Sequence, residues 1–328
     1  MGRVLVTGAT GCLGNALAHQ LLQSGCVVTA QGRNLSDALD LVRAGADFLP
    51  LDFRAPEASA RQLLPHLWRV ETVYHCAALS SAWGPAGLFQ AVNVTATANL
   101  LDAAREAGVR RFVFASSPSI YADGTDRLDL REDAALPARF ATAYARSKYE
   151  AERLVLAADQ PGGMRTVALR PRAIYGRGDR ALMPRLMAAI GRGSVPLIGG
   201  GASLIDLTHV SDAARAMRLA ADHAEQAGGR AFNITSGRSY PFRELLGAAC
   251  DLTKTTPRLR PVPYGAALAL AATLEAMHRL FRPKVEPVLT RQAVASLGRS
   301  LTLDISAARD VLSYRPQVSL DEGIKDYA

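Results

Sequence analysis

The chain has 328 residues, 49% hydrophobic and 21% charged, which excludes a disordered polypeptide and is enough to bury a large core. Lys plus Arg is 38 and Asp plus Glu 30, a net charge of +8. The basic residues are scattered rather than gathered in a run, so the surplus reads as solvated surface and no nucleic-acid partner is expected.

The N-terminus runs directly into Val4-Leu5-Val6 without a signal-peptide pattern, so a cytoplasmic location is expected. Strands are predicted at Arg3–Thr7, Val27–Gln31, Asp47–Leu51, Thr72–His75, Arg111–Ala115 and Thr166–Leu169. Helical patterns lie between them, as at Gly14–Ser24 and Asn93–Ala107, where Val94, Ala98, Leu101 and Ala104 recur at helical spacing. Parallel neighbours need a crossover, and a helix provides it. The alternation therefore predicts an α/β fold, a Rossmann-type doubly wound parallel sheet over residues 1–170. After Pro171 glycine and proline become dense and strand signals thin to Leu204–Leu207 and Arg230–Thr235. A smaller mixed lobe over 171–328 is expected to bind substrate, the chain returning to the first lobe at about 204–236. Cys12, Cys26, Cys76 and Cys250 show no CxxC and no paired His, so neither a metal nor a disulfide framework is expected.

Gly8, Gly11 and Gly14 follow the first strand and open the first helix. In this position Gly8 allows a tight turn, Gly11 lets backbone approach a pyrophosphate, and Gly14 lets the helix pack on the strand. The free N–H groups of the helix start then face the phosphates. Gly8, Thr10, Gly11, Cys12, Leu13 and Gly14 are the expected cofactor loop. The second strand ends in Gln31-Gly32-Arg33-Asn34. It lacks the acid that reads adenosine ribose hydroxyls and offers Arg33 for a 2′-phosphate, which favours NADP(H) over NAD(H). Asp52, after the third strand, is a candidate for the adenine end, or simply a turn residue.

Tyr144 and Lys148 lie four apart in a helical stretch, so phenol and ammonium share a face. A neighbouring ammonium favours phenolate, and such a Tyr can donate a proton during carbonyl reduction. Lys148 is one of only 4 lysines beside 34 arginines. The strand upstream ends in Ser116 and Ser117, hydroxyls suited to polarising a substrate carbonyl.

On these motifs the chain resembles the extended branch of the short-chain dehydrogenase/reductase superfamily. The resemblance rests on residues 7–14, His75-Cys76-Ala77-Ala78, Asn93-Val94, Ser117, Tyr144 with Lys148, Leu169-Arg170-Pro171, Tyr175-Gly176, Tyr314-Arg315-Pro316 and Leu320-Asp321-Glu322-Gly323. Within that branch it is most similar to the 3β-hydroxysteroid dehydrogenase-like group, and there to bacterial 2-alkyl-3-oxoalkanoate reductases. The likeness implies Tyr144 as general acid/base, Lys148 on the nicotinamide ribose and Ser117 on the carbonyl oxygen. It implies that Asn93 supports the site and that Ala77, Ala78 and Pro171 line the cofactor channel. Trp83 and Tyr175 are candidates to touch substrate, and His75 reads as structural. A homodimer is also implied.

The expected activity is reduction of a hydrophobic ketone of the β-keto acid type. A 3-hydroxysteroid substrate, a nucleotide-sugar epimerase and a dinucleotide-sensing module without catalysis are the alternatives. Sugar dehydratases of the family carry an acid beside the catalytic hydroxyl, where this chain has Pro118. The segment 264–284 joins an alanine/leucine body to His278, Arg279, Arg282 and Lys284. It is expected either to close over substrate or to touch the inner membrane face.

Overall fold

Successive strand residues face opposite sides of a sheet, and in Arg3–Thr7 both sides are apolar: Val4 and Val6 enter one core, Leu5 the other. Such a strand needs helices on both faces. The computed structural model, which describes residues 2–328, provides them. Strands β1 (Arg3–Thr7), β2 (Val27–Gly32), β3 (Asp47–Pro50), β4 (Thr72–His75), β5 (Arg111–Ala115), β6 (Arg165–Pro171) and β7 (Arg230–Ile234) form one parallel sheet. Their order is β7-β6-β5-β4-β1-β2-β3.

On one face Leu13, Leu17 and Leu21 of helix Cys12–Gln23 pack with Ala213, Met217 and Ala220 of helix Val210–Asp222. On the other, Leu100 and Ala104 of Ala96–Glu106 meet Ala151 and Val155 of Ala143–Ala157. The strand order reverses between β1 and β4. A crevice opens there, at the carboxyl ends of the strands.

The second half is divided differently from the expectation. Leu204–Asp206 does not join the main sheet. It pairs with Ser239–Pro241 and Leu301–Leu303 in a four-stranded sheet that also recruits Arg127–Leu130 from the first half. The reason is burial: Ile205 and Leu207 belong to a separate apolar cluster with Leu245 and Leu246. The return to the main sheet consists of Val210–Asp222 and β7, and Ile305, Ala308, Leu312 and Tyr314 also pack back onto the first core. Helix Tyr264–Phe281 buries only a narrow stripe, Ala267, Ala271 and Glu275. Among the described residues no helix is long and apolar enough to cross a membrane.

Candidate active site

The glycine loop is shaped by what a side chain would strike. Gly8 has φ +64°, and a Cβ there would lie 2.7 Å from the Ala77 backbone; a Cβ on Gly14 would lie 2.3 Å from the Gly8 carbonyl oxygen. Gly11 donates its N–H to Gly8 O at 2.9 Å, turning the chain into helix Cys12–Gln23. This cradle, with exposed backbone at a helix start, fits a dinucleotide pyrophosphate. Thr10 borders the crevice, whereas Leu13 turns into the core. Cys12 donates to Arg177 O, and burial, with Asp179 and Asp326 nearby, pushes its thiol up to about 12. It is an inert thiol.

Gln31 had no assigned role, yet it ties this end of the crevice together. Its side chain accepts from Gly8 N at 2.9 Å and donates to Leu51 O at 2.6 Å. The crevice, about 280 Å³, runs along Gly8, Gly11, Arg33, Asp52, Ala77 and Ala78. Asp52 is held by Arg54, whose hydrogen bond keeps the carboxyl below its usual range. Asp52 is thus already paired, while Asp37, which also borders the crevice, accepts from Asn34 Nδ2 at 3.3 Å. Arg33 borders the same space and takes part in no ion pair among the described residues. Pro171 closes β6 opposite Ile234, outside the lining of this crevice.

At the end of β5, Ser117 caps the short turn Pro118–Tyr121 and shares its hydroxyl with Ser119 at 3.0 Å. Thr142 caps the helix that carries Tyr144, accepting from Ala145 N at 3.1 Å. Burial raises the Tyr144 phenol, and the nearby hydroxyls of Ser117 and Ser80 oppose that rise. Ser80 was not foreseen; its only sequence signal is a hydroxyl just past Ala77-Ala78.

Lys148 lies on the same helix as Tyr144. Its ammonium donates to Ala115 O at 2.5 Å and sits 4.0 Å from the Phe114 ring centroid. Burial pulls it down to about 7, with Cys76 and Glu152 opposing. The carbonyl at the end of β5 thus holds the ammonium.

Asn93 is a brace. From a π-helical turn, Gln90–Thr95, its side chain accepts from Leu79 N at 2.7 Å and donates to Ser147 Oγ at 2.9 Å. It thereby joins the loop after β4 to the helix of Tyr144. His75 is fully buried between Thr7 and Thr97, and burial, with Lys148 adding, drops it to about 3. Thr97 spends its proton on Asn93 O, so Nε2 of a neutral His75 donates to Thr97. That is a structural role.

Two cavities lie beside Thr142. One, about 320 Å³, is bounded by Trp83, Phe89, Glu275 and Arg279; the other, about 390 Å³, by Ser119, Arg172, Leu268 and Gln292. Trp83 therefore lines a cavity, its indole N–H bound to Pro283 O at 2.9 Å. Tyr175 does not reach either one. It is 1% exposed, stacked edge-on against His209, with its hydroxyl on Ser319 O. The apolar cluster around Leu207 claims the ring, so the expected substrate contact is absent.

The arrangement sets a crevice that fits a dinucleotide near the Tyr144 phenol and the Ser117 hydroxyl. The model of the NAD dependent epimerase/dehydratase family matches residues 4–235. The chain is 32% identical to a 2-alkyl-3-oxoalkanoate reductase of Shewanella oneidensis, over 99% of this chain and 85% of that protein. It is also 32% identical to sterol-4-alpha-carboxylate 3-dehydrogenase, decarboxylating, of Mus musculus, over 98% and 88%. Its fold is similar to that of solved MoeE5 in complex with UDP-glucose and NAD, with TM-score 0.77, 30% identity and coverage of 99% and 97%. Similarity at this level over nearly the whole length shows that the chain belongs to the NAD-dependent epimerase/dehydratase family, the extended short-chain dehydrogenases/reductases, and is an oxidoreductase of that family.

Proposed function

We propose that the protein reduces a hydrophobic ketone of the β-keto acid type to a secondary alcohol, using NADP(H). The observation that carries this reading is the Tyr144 phenol near the Ser117 hydroxyl, on a helix whose Thr142 cap borders two substrate-sized cavities. When bound, the dinucleotide supplies the hydride. Ser117 holds the carbonyl oxygen, and Tyr144 gives it a proton as negative charge builds there. Lys148, on the helix of Tyr144 and hydrogen-bonded to Ala115 O, is assigned to the nicotinamide ribose. The names of the two relatives describe the same chemical unit, an oxygenated carbon next to one bearing a carboxylate. A nucleotide sugar is the second reading, favoured by the likeness to MoeE5.

The test is a screen of NADPH oxidation and NADP⁺ reduction across β-keto and β-hydroxy acids, steroids and nucleotide sugars. Activity confined to nucleotide sugars overturns the reading. The same assay tests the cofactor. Arg33 borders the crevice beside Asp52 and takes part in no ion pair among the described residues, and a charge-assisted contact to a 2′-phosphate is worth about 1.5–3 kcal/mol. Wild type is expected to prefer NADPH to NADH. Arg33→Ala is expected to weaken NADPH binding about 10- to 100-fold, leaving NADH nearly unchanged. Equal wild-type affinities for both cofactors refute the preference.

The outer face of helix Tyr264–Phe281 is apolar and ends in cations: Leu280 is 75% and Phe281 73% exposed, next to Arg282 and Lys284. This combination suits an anionic lipid surface that delivers a lipid-like substrate. Wild type is expected to float with phosphatidylglycerol vesicles and not with phosphatidylcholine vesicles. A Leu280→Ser, Phe281→Ser double variant is expected to remain in solution. A wild type that floats with neither sinks the lipid contact.

A further inference from the structure

Among the described residues three buried side-chain polar atoms lack a hydrogen-bond partner: Nε of Arg172, Oε1 of Gln292 and Nε of Arg299. All three residues line the same cavity, the one of about 390 Å³ that also touches Ser119 and Thr142. Unsatisfied buried donors and acceptors are costly and scarce. Their collection in one wall marks a place built for a polar group that arrives from outside.

Three arginines border that cavity, and their engagements differ. Arg291 binds Glu275 through Nε at 2.9 Å. Arg299 reaches Asp126 at 3.2 Å and lies over the Tyr264 ring. Arg172 has no carboxylate within ion-pair distance among the described residues. Asp206 is the acid that acts on it through space, but its oxygens are taken by Ser239 Oγ at 2.6 Å and Leu303 N at 2.7 Å. The Arg172 backbone is fixed at the same time, its N–H on Ile234 O and its carbonyl under the Thr208 hydroxyl. The cavity is therefore lined by an arginine whose backbone is pinned and whose guanidinium has no carboxylate partner among the described residues. Its opposite landmarks are Ser119, 3.0 Å from the Ser117 hydroxyl, and Thr142, two residues before Tyr144. Leu268 and Leu301 add apolar wall.

We propose that Arg172 is the substrate-specificity residue that binds the carboxylate of an acyl substrate, holding it so that the neighbouring ketone faces Ser117 and Tyr144. This rests on the β-keto acid reading above and goes beyond it by naming the group recognised and the residue that recognises it. A planar guanidinium with an unspent Nε–H suits a carboxylate because two parallel donors meet two oxygens. It also gives the site a way to reject the decarboxylated ketone, which would leave the guanidinium unpaired.

β-Keto acids lose carbon dioxide in solution, so the test runs in the oxidative direction with a stable 2-alkyl-3-hydroxy acid, its methyl ester and NADP⁺. Wild type, Arg172→Leu and Arg172→Lys are compared, with NADPH binding as the check on folding. For Arg172→Leu the acid is expected to lose about 100-fold in kcat/KM, chiefly through KM, while the ester changes less than about 3-fold. Arg172→Lys is expected to recover part of the loss. Equal effects on acid and ester, or none on either, overturn the role of Arg172 and leave the proposed activity standing. A wild type that oxidises neither compound overturns both. Should Arg172→Leu fail to bind NADPH, the wild-type ratio decides: a preference for acid over ester of about 10-fold or more supports the proposal, and equal kcat/KM defeats it.

Discussion

Tyr144→Phe is expected to lower kcat by about 10³-fold while leaving the dissociation constant for NADPH within about 2-fold of wild type. General acid catalysis by a positioned side chain contributes about 10² to 10⁴. Here the replacement removes only the hydroxyl that Ser117 and Ser80 contact. The ring keeps its edge-on packing against Phe89, 6.5 Å between centroids, and the Thr142 cap of the helix is untouched. The cofactor crevice lies along Gly8, Arg33 and Ala77, so binding there does not depend on the phenol. Stopped-flow transients and fluorescence titration separate the two quantities. Turnover that survives the substitution removes Tyr144 from the chemistry.

Glu152→Ala is expected to destabilise the fold by about 3–5 kcal/mol, the usual cost of leaving one member of a buried ion pair alone. Glu152 is 2% exposed, and its oxygens accept from Arg170 Nη2 at 2.5 Å, Arg170 Nε at 2.9 Å and Ser116 Oγ at 2.6 Å. Removing it strands a guanidinium that is itself 6% exposed. It also releases the helix of Tyr144 and Lys148 from β6 and from Ser116, the neighbour of Ser117. A fall in kcat is therefore expected along with the fall in stability. The same helix offers a control, the more solvent-accessible pair Arg146 and Glu150 at 2.8 Å, whose side chains are 71% and 30% exposed. Glu150→Ala is expected to cost no more than about 0.5 kcal/mol, because water screens that pair. Urea midpoints measured on both variants decide. Similar midpoints contradict the assigned importance of the buried pair.

Much of the site was visible in residue order. Gly8, Gly11 and Gly14 can be read because steric clashes at a strand-to-helix turn act over a few residues. Tyr144 and Lys148 can be read because helical spacing fixes a shared face. The seat of the Lys148 ammonium was not legible, because Ala115 O, 33 positions upstream, takes it. The burial of Tyr175 was not legible for the same reason, since its neighbours His209 and Ser319 are remote in sequence. Gln31 and Glu152 went unassigned because an amide or a carboxylate in a regular element carries no local mark of its partners. Arg172 directly follows the Leu169-Arg170-Pro171 motif and carries no local mark of a role, and only the tertiary structure shows that its guanidinium lacks a carboxylate.

By itself the sequence determined the parallel sheet, the glycine turn into the first helix and the shared helix face of Tyr144 and Lys148, because each follows from periodicity or from short-range sterics. The tertiary structure decided which of those groups touch. It sent Leu204–Asp206 into the smaller sheet, buried Tyr175 and braced the helix of Tyr144 through Asn93 and Glu152. It also gathered three unpartnered polar atoms into one wall. Burial and pairing depend on residues far apart along the chain, and their cost is set only once the chain has closed around them.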